Sequence, residues 1–265
     1  MAGVKSFGRG RGWAKPHGDD VPLPKPGRLL NSKSEESIDH DDFDTAIDLV
    51  NVENVEEIAN SVSRLIDDKM RTQGFKDIFG KLYKRAVKDR EFGDKLVRFC
   101  YSTTIKNIYD NNGSSFFKLL INNFQIDYER REELRRKDPT EFYSVVFLLT
   151  RYTLHSKIQT RVIYHALVSY MEMLLEMHSV EDIKLFKEMI VKLGNRLQTG
   201  YKEPVKELIL TCRTILIKED VPEASRLMLL YVIDLERRGF SHLPNYLKAF
   251  YKSQLGEEYE EPLLN

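Results

Sequence analysis

The 265-residue sequence predicts an all-α fold, a HEAT-like helical-repeat solenoid of about five antiparallel helix pairs behind a disordered leader. Three observations predict it. From about Asp42 to Leu255, apolar residues recur three and four apart in segment after segment, the spacing that gathers them on one face of a helix. Over the same span glycines are few, and no alternating apolar and polar run bounded by turns reads as a strand. The helical segments are about 15 residues long and pair at a period of about 40, with links short enough to favour antiparallel neighbours.

Residues 1–40 carry Pro16, Pro22, Pro24 and Pro26, early glycines and the polar run Asn31 to Glu36, with almost no apolar periodicity. Such a segment buries too little to offset its ordering entropy and reads as disordered. Residues 41–255 form the helical domain, with helices at about 42–50, 54–72, 75–88, 92–109, 114–137, 139–155, 160–177, 180–198, 202–218, 222–238 and 244–254. Asn54 with Glu57 predicts a capping box ahead of the stripe Val55, Ile58, Ala59, Val62, Leu65, Ile66 and Met70. Asp138, Pro139 and Glu141 supply an N-cap acid, a first-turn proline and a reaching carboxylate before FYSVVFLLTRY. Ser179 and Asp182 repeat that logic, Pro222 and Pro244 fall at first-turn positions, and Gly113, Gly194, Gly200 and Gly239 fall near helix ends or turns. Segments 141–154 and 226–235 are apolar nearly all round, so they are covered on more than one side, whereas 54–70 has a single stripe. Residues 256–265, GEEYEEPLLN, are read as an acidic tail, a solvated end in the favoured account and a peptide ligand for a basic partner surface in the other.

Charge is balanced overall, 41 bases against 41 acids, and uneven along the chain. Residues 1–28 carry a net +4, residues 35–68 a net −11 and residues 69–106 a net +7, blocks suited to opposite faces of a scaffold. Cys100 and Cys212 stand in apolar helical patterns with no CxxC spacing, which suggests neither a disulfide framework nor a zinc site and fits a reducing compartment. The N-terminus lacks the apolar run of a signal peptide, and the run Leu227 to Ile233 is far short of the ~20 residues of a membrane span. A soluble protein of the cytoplasm, also compatible with the nucleus, is expected.

No catalytic constellation is legible, so no enzyme and no cofactor or metal is expected. His155, His165 and His178 lack metal-ligand spacing, and Met171, Met173 and Met177 read as pliable core. The run GRGRG at residues 8–12 has neither the preceding strand nor the following helix of a phosphate loop. Two readings of it remain, a solvated leader or a segment whose Arg9 and Arg11 are open to methylation or RNA contact, with Phe7 and Trp13 able to stack on bases. Two basic helices are candidates for partner or RNA binding: Lys81, Lys84, Arg85, Lys88 and Arg90 on the first, and Arg130, Arg131, Arg135 and Arg136 on the second. A salt-bridged solvated face is the competing account of both, on the second with Glu132 and Glu133 pairing to Arg136 or Lys137. Arg226 and Asp234 lie in an otherwise apolar helix, where each must find a partner or reach the surface.

The segments KLYKRAVKDREFGDKLVRFCYSTT at 81–104, with Phe92 to Cys100 as an "aromatic, small, x, leucine, cysteine" helix, SSFFKLLINNFQIDYERREELRR at 114–136, and ASRLMLLYVIDLERRGF at 224–240 together resemble the middle domain of eukaryotic initiation factor 4G, the MIF4G family. The motif positions are Cys100, Ser225, Arg226, Asp234, Gly239 and Phe240, with Phe240 where the family usually has tryptophan, as in a divergent branch. The match covers about residues 50–255 and is similar in size to single-domain relatives of the poly(A)-binding-protein-interacting, cap-binding-complex-dependent initiation factor and histone stem-loop-binding-protein partner types. The resemblance implies a crescent of five helix pairs that acts without catalysis. It implies a scaffold in mRNA translation whose partners are initiation factors such as a DEAD-box helicase, or mRNA-bound proteins of the poly(A)-binding or stem-loop-binding type. The alternatives are a direct RNA-binding protein using the leader and the basic helices, and a helical-repeat adaptor outside RNA metabolism.

Overall fold

The computed structural model describes residues 40–156, 160–218 and 220–263. The predicted leader, with Arg9 and Arg11, lies outside the described residues. The elements in order are α1 (His40–Asp48), α2 (Val55–Leu65), α3 (Asp68–Gln73), α4 (Lys76–Ala86), α5 (Arg90–Tyr101), α6 (Thr103–Lys106), α7 (Phe116–Glu129), α8 (Arg131–Lys137), α9 (Pro139–His155), α10 (Arg161–Met177), α11 (Val180–Gly200), α12 (Lys202–Lys218), α13 (Glu223–Arg237) and α14 (Asn245–Leu255), followed by a 3-10 turn at Gly256–Glu258. No strand occurs among the described residues.

Helix starts follow their capping chemistry. Asp138 accepts from the Glu141 amide at 2.9 Å with Pro139 opening α9. Ser179 and Asp182 form a complete capping box, and Asp89, Ser102 and Ser115 cap α5, α6 and α7. Three predicted helices are each broken in two. Helix 54–72 divides where Ile66 turns extended and Asp67 caps α3, and helix 92–109 divides at Ser102, whose extended ψ of 147° lets its hydroxyl cap α6. Helix 114–137 divides at Arg130, whose guanidinium turns back onto Asp127. The expected Asn54 capping box does not form, because its side-chain oxygen accepts from the Asn51 amide and its amide group donates to the Leu49 carbonyl, closing the α1–α2 loop instead. Pro222 and Pro244 stand at the N-cap, one residue earlier than expected. Gly194 lies inside α11 rather than at a helix end.

The helices form two layers. Helices α5, α9, α11 and α13 pack in succession as one layer, and α4, α7, α10 and α12 cover them as their pair partners. Gly93 allows the close approach of α5 to α9, since a Cβ there would stand 2.5 Å from Leu148 Cδ2. The two-sided burial expected of segment 141–154 is explained by this order, with α9 covered by α5, α7, α8, α10 and α11. At one end of the core the Phe116 ring lies among Phe43, Phe75, Phe79 and Phe99, all fully buried, at 5.0 to 6.3 Å between centroids. Met171, Leu174 and Leu175 are core as expected, but Met177 is exposed at the end of α10.

Candidate partner-binding surface

The acidic block 35–68 and the basic block 69–106 meet at Arg85: its Nη2 holds both Asp48 carboxylate oxygens at 2.8 and 2.9 Å, Asp44 lies 3.5 Å from Nη1, and Lys95 Nζ donates to the Asp48 carbonyl at 3.0 Å. Arg85 also stacks 4.0 Å from the Phe92 ring centroid, so this predicted contact residue is committed to joining α1, α4 and α5. Lys81, Lys84, Lys88 and Arg90 remain exposed around it.

The second predicted basic helix is spent in the same way. Arg130 bridges the buried Asp127 at 2.7 Å and Glu141 at 2.8 Å, Arg131 lies over the Tyr128 ring and donates to the Tyr128 carbonyl, and Arg135 pairs with the buried Asp182 at 2.5 Å. Arg136 is exposed, and Lys137 pairs with Glu133 as the helical spacing predicted. Three of these four arginines therefore fasten α8 to its neighbours. Tyr83 donates to Asp127 Oδ2 at 2.5 Å from the opposite side; burial and then the Asp127 charge push the Tyr83 pKa far up, so it stays a proton donor.

An open groove of about 500 Å³ crosses the α5–α9–α11 layer instead. Val50 and Val52 from the α1–α2 loop, Arg90, Glu91, Asp94, Lys95 and Arg98 of α5, Phe147 and Arg151 of α9, and Lys192 of α11 line it. Asp94 is its electrostatic centre: Arg98 Nε donates to Oδ2 at 2.9 Å, Arg151 Nε donates to Oδ1, and His155 Nε2 stands 3.9 Å away. Burial alone would raise the Asp94 pKa, but the facing His155, Arg151 and Arg98 more than offset it and hold the carboxyl far below the usual range. The guanidiniums of Arg90 and Arg151 stand 5.4 and 5.9 Å from the Phe147 ring centroid, while Val52 is 71% exposed. The groove thus offers an aromatic ring framed by cations, two carboxylates and an apolar lip, which suits a mixed polypeptide surface better than a run of phosphates.

Of the predicted contact residues only Arg90 lines this groove. Lys95, Arg98, Phe147, Arg151 and Lys192 were not singled out from the sequence. Arg151 had a signal, a lone charge in the apolar run FYSVVFLLTRY, by the same argument that marked Arg226 and Asp234. The α5 charges look like ordinary i,i+4 pairs until α9 is laid against them.

No family model matches the chain. Over 185 residues it is 25% identical to the CBP80/20-dependent translation initiation factor of Xenopus tropicalis, covering 68% of this chain and 31% of that protein. It is 22% identical over 178 residues to MIF4G domain-containing protein B of Danio rerio, and 20% identical over 194 residues to MIF4G domain-containing protein A, covering 80% and 89% of those two proteins. The MIF4G names of two of these relatives support the MIF4G resemblance at low identity. It spans less than a third of the length of the Xenopus relative.

The positions that carry the MIF4G resemblance are packed or partnered in this fold. Cys100 and Ser225 are buried, and burial pushes the Cys100 thiol up. Arg226 donates to the Val221 carbonyl at 2.9 Å and pairs with Asp220, and Asp234 accepts from the Tyr251 hydroxyl at 2.7 Å, so each lone charge has found the partner it required. Gly239 and Phe240 both take positive φ, 64° and 56°, which swings the Phe240 ring back into the core.

Proposed function

We propose that this chain is a non-enzymatic MIF4G-type adaptor in mRNA translation that binds a protein partner through the groove centred on Asp94 and Phe147. The carrying observation is the composition of that groove, in which Arg90, Lys95, Arg98, Arg151 and Lys192 surround Glu91, Asp94 and Phe147. Glu91 and Asp94 already engage Lys95, Arg98 and Arg151, and the resulting mixed charge around an aromatic ring suits a protein surface. Likeness to a translation initiation factor and to MIF4G proteins supports the choice of pathway. The partner is an initiation factor of the DEAD-box helicase type, or an mRNA-bound protein of the poly(A)-binding or stem-loop-binding type, met in the cytoplasm.

Calorimetric titration of the purified chain with each of these three partner types tests the proposal. One of them is expected to bind, and Arg90→Glu combined with Phe147→Ala to weaken it about tenfold or more while the helical circular-dichroism signal is kept. Binding of none, or binding indifferent to the double substitution, would overturn it.

A further inference from the structure

Lys187, in the middle of α11, is 1% exposed and is the only buried lysine or arginine among the described residues. A buried ammonium requires partners, and here they come from residues after α14. Lys187 Nζ donates to the Glu258 carbonyl, with Glu258 Oε2 at 3.9 Å. The expectation of a solvated tail is therefore corrected, because opposite charge lies along α11. Glu258 Oε1 meets Lys184 Nζ at 2.5 Å, Glu260 Oε2 lies 3.7 Å from Lys192 Nζ, and Glu261 pairs with Lys248 and lies 3.3 Å from His242 Nδ1.

The tail is also gripped by its backbone. The Tyr231 hydroxyl donates to the Glu260 carbonyl at 2.5 Å, and the Leu263 amide donates to the Val191 carbonyl at 3.2 Å. Pro262 is buried, and the Tyr259 ring tilts against Tyr231 at 5.6 Å. Side-chain ion pairs, main-chain hydrogen bonds and a buried proline are together what a receptor uses to hold an extended peptide. Yet the holding pairs are surface pairs, with Glu258, Glu260 and Glu261 each more than a third exposed, and such pairs are individually weak and screened by salt.

We infer that the α11 strip of Lys184, Lys187 and Lys192, with Tyr231 beside it, is a binding site for an acidic linear peptide, occupied at rest by residues 257–263 and opened when an acidic segment of a partner protein displaces them. A polypeptide is favoured over a nucleic acid because Tyr231 and Val191 read a peptide backbone and Pro262 fills an apolar seat. Burial pulls the Lys187 pKa down, as the covering tail shields its ammonium from water. Lys192 also lines the Asp94 groove, so displacement of the tail changes the charge offered there. The inference stands on these contacts and does not depend on the translation reading.

The test uses the full chain and a fluorescein-labelled peptide EEYEEPL. The variant Glu258→Gln, Glu260→Gln, Glu261→Gln removes the three tail carboxylates that meet lysines and leaves Glu257, and it is expected to bind the peptide about tenfold more tightly than the unaltered chain, because the tethered competitor is weakened. In the unaltered chain, hydrogen exchange at the Leu263 amide is expected to accelerate when unlabelled peptide is added and to stay constant with the charge-reversed peptide KKYKKPL. Equal peptide affinity of the two chains, no binding by the variant, or displacement by oligouridylate without displacement by the peptide would each overturn the inference. Should the variant fail to fold, the exchange experiment decides alone.

Discussion

Gly194 and Phe240 meet face to face: a Cβ added at residue 194 would stand 2.5 Å from Phe240 Cδ1 and 2.9 Å from Cε1. The contact joins the middle of α11 to the turn after α13. It accounts for a glycine inside a 21-residue helix, where it costs helix propensity, and for the positive φ of Phe240.

Gly194→Ala is accordingly expected to destabilise the fold by about 1–3 kcal/mol, the usual cost of overpacking, despite the better helix propensity of alanine. Phe240→Leu in the same chain should recover part of that loss. Thermal unfolding of the two single variants and the double variant measures the coupling, and additive losses would show that the two residues do not share the space.

Tyr83→Phe removes the proton that Asp127 accepts inside the core. A loss of about 1–3 kcal/mol is expected in urea unfolding, since Asp127 keeps Arg130 but loses a buried donor. At alkaline pH the sign is fixed by the raised pKa of Tyr83 and of Tyr170, both pushed up first by burial. Unfolded tyrosines ionise above about pH 10 while these stay protonated, so stability should fall as pH rises past that point.

Asp94 works in the other direction. Its folded pKa is depressed, so its contribution is complete above the ordinary carboxylate pKa of about 4 and fades as pH falls below it. Asp94→Asn should lower stability at pH 7 by about 2 kcal/mol, the scale of a lost charge-assisted hydrogen bond, and flatten the acid limb of a melting-temperature profile.

Arg90→Glu alone should change stability by no more than about 0.5 kcal/mol and leave the melting temperature nearly unchanged, because the side chain is exposed. Arg85→Glu should cost more, since Arg85 holds Asp44 and Asp48 across α1 and α4. Parallel melting curves compare the two. An equal loss would mean that the exposed Arg90 is as structural as Arg85.

Local chemistry was legible wherever a side chain acts on its own backbone. Asp138, Pro139 and Ser179 announce helix starts because a cap needs only neighbours within one turn, and the apolar spacing of 141–154 announces burial because helix geometry projects it onto a surface. Asn54 misled because its partners, Leu49 and Asn51, precede it in a loop and compete for the same atoms. The breaks at Ser102 and Arg130 were hidden because each depends on a side chain choosing between continuing a helix and satisfying a cap or a buried carboxylate.

By itself the sequence determined the all-α class, the order of most helices, the buried cysteines and the family resemblance, since these rest on periodicity and short-range spacing. Only the tertiary structure decided which charges are free. Arg85 and Arg135 are as basic in sequence as Lys81 or Arg90, but Asp48 and Asp182 from distant segments reach them, and ion pairing depends on distance in space. For the same reason the Asp94 groove exists only where α9 and α11 lie against α5, and the acidic tail becomes a bound ligand only because α11 folds its lysines beneath it.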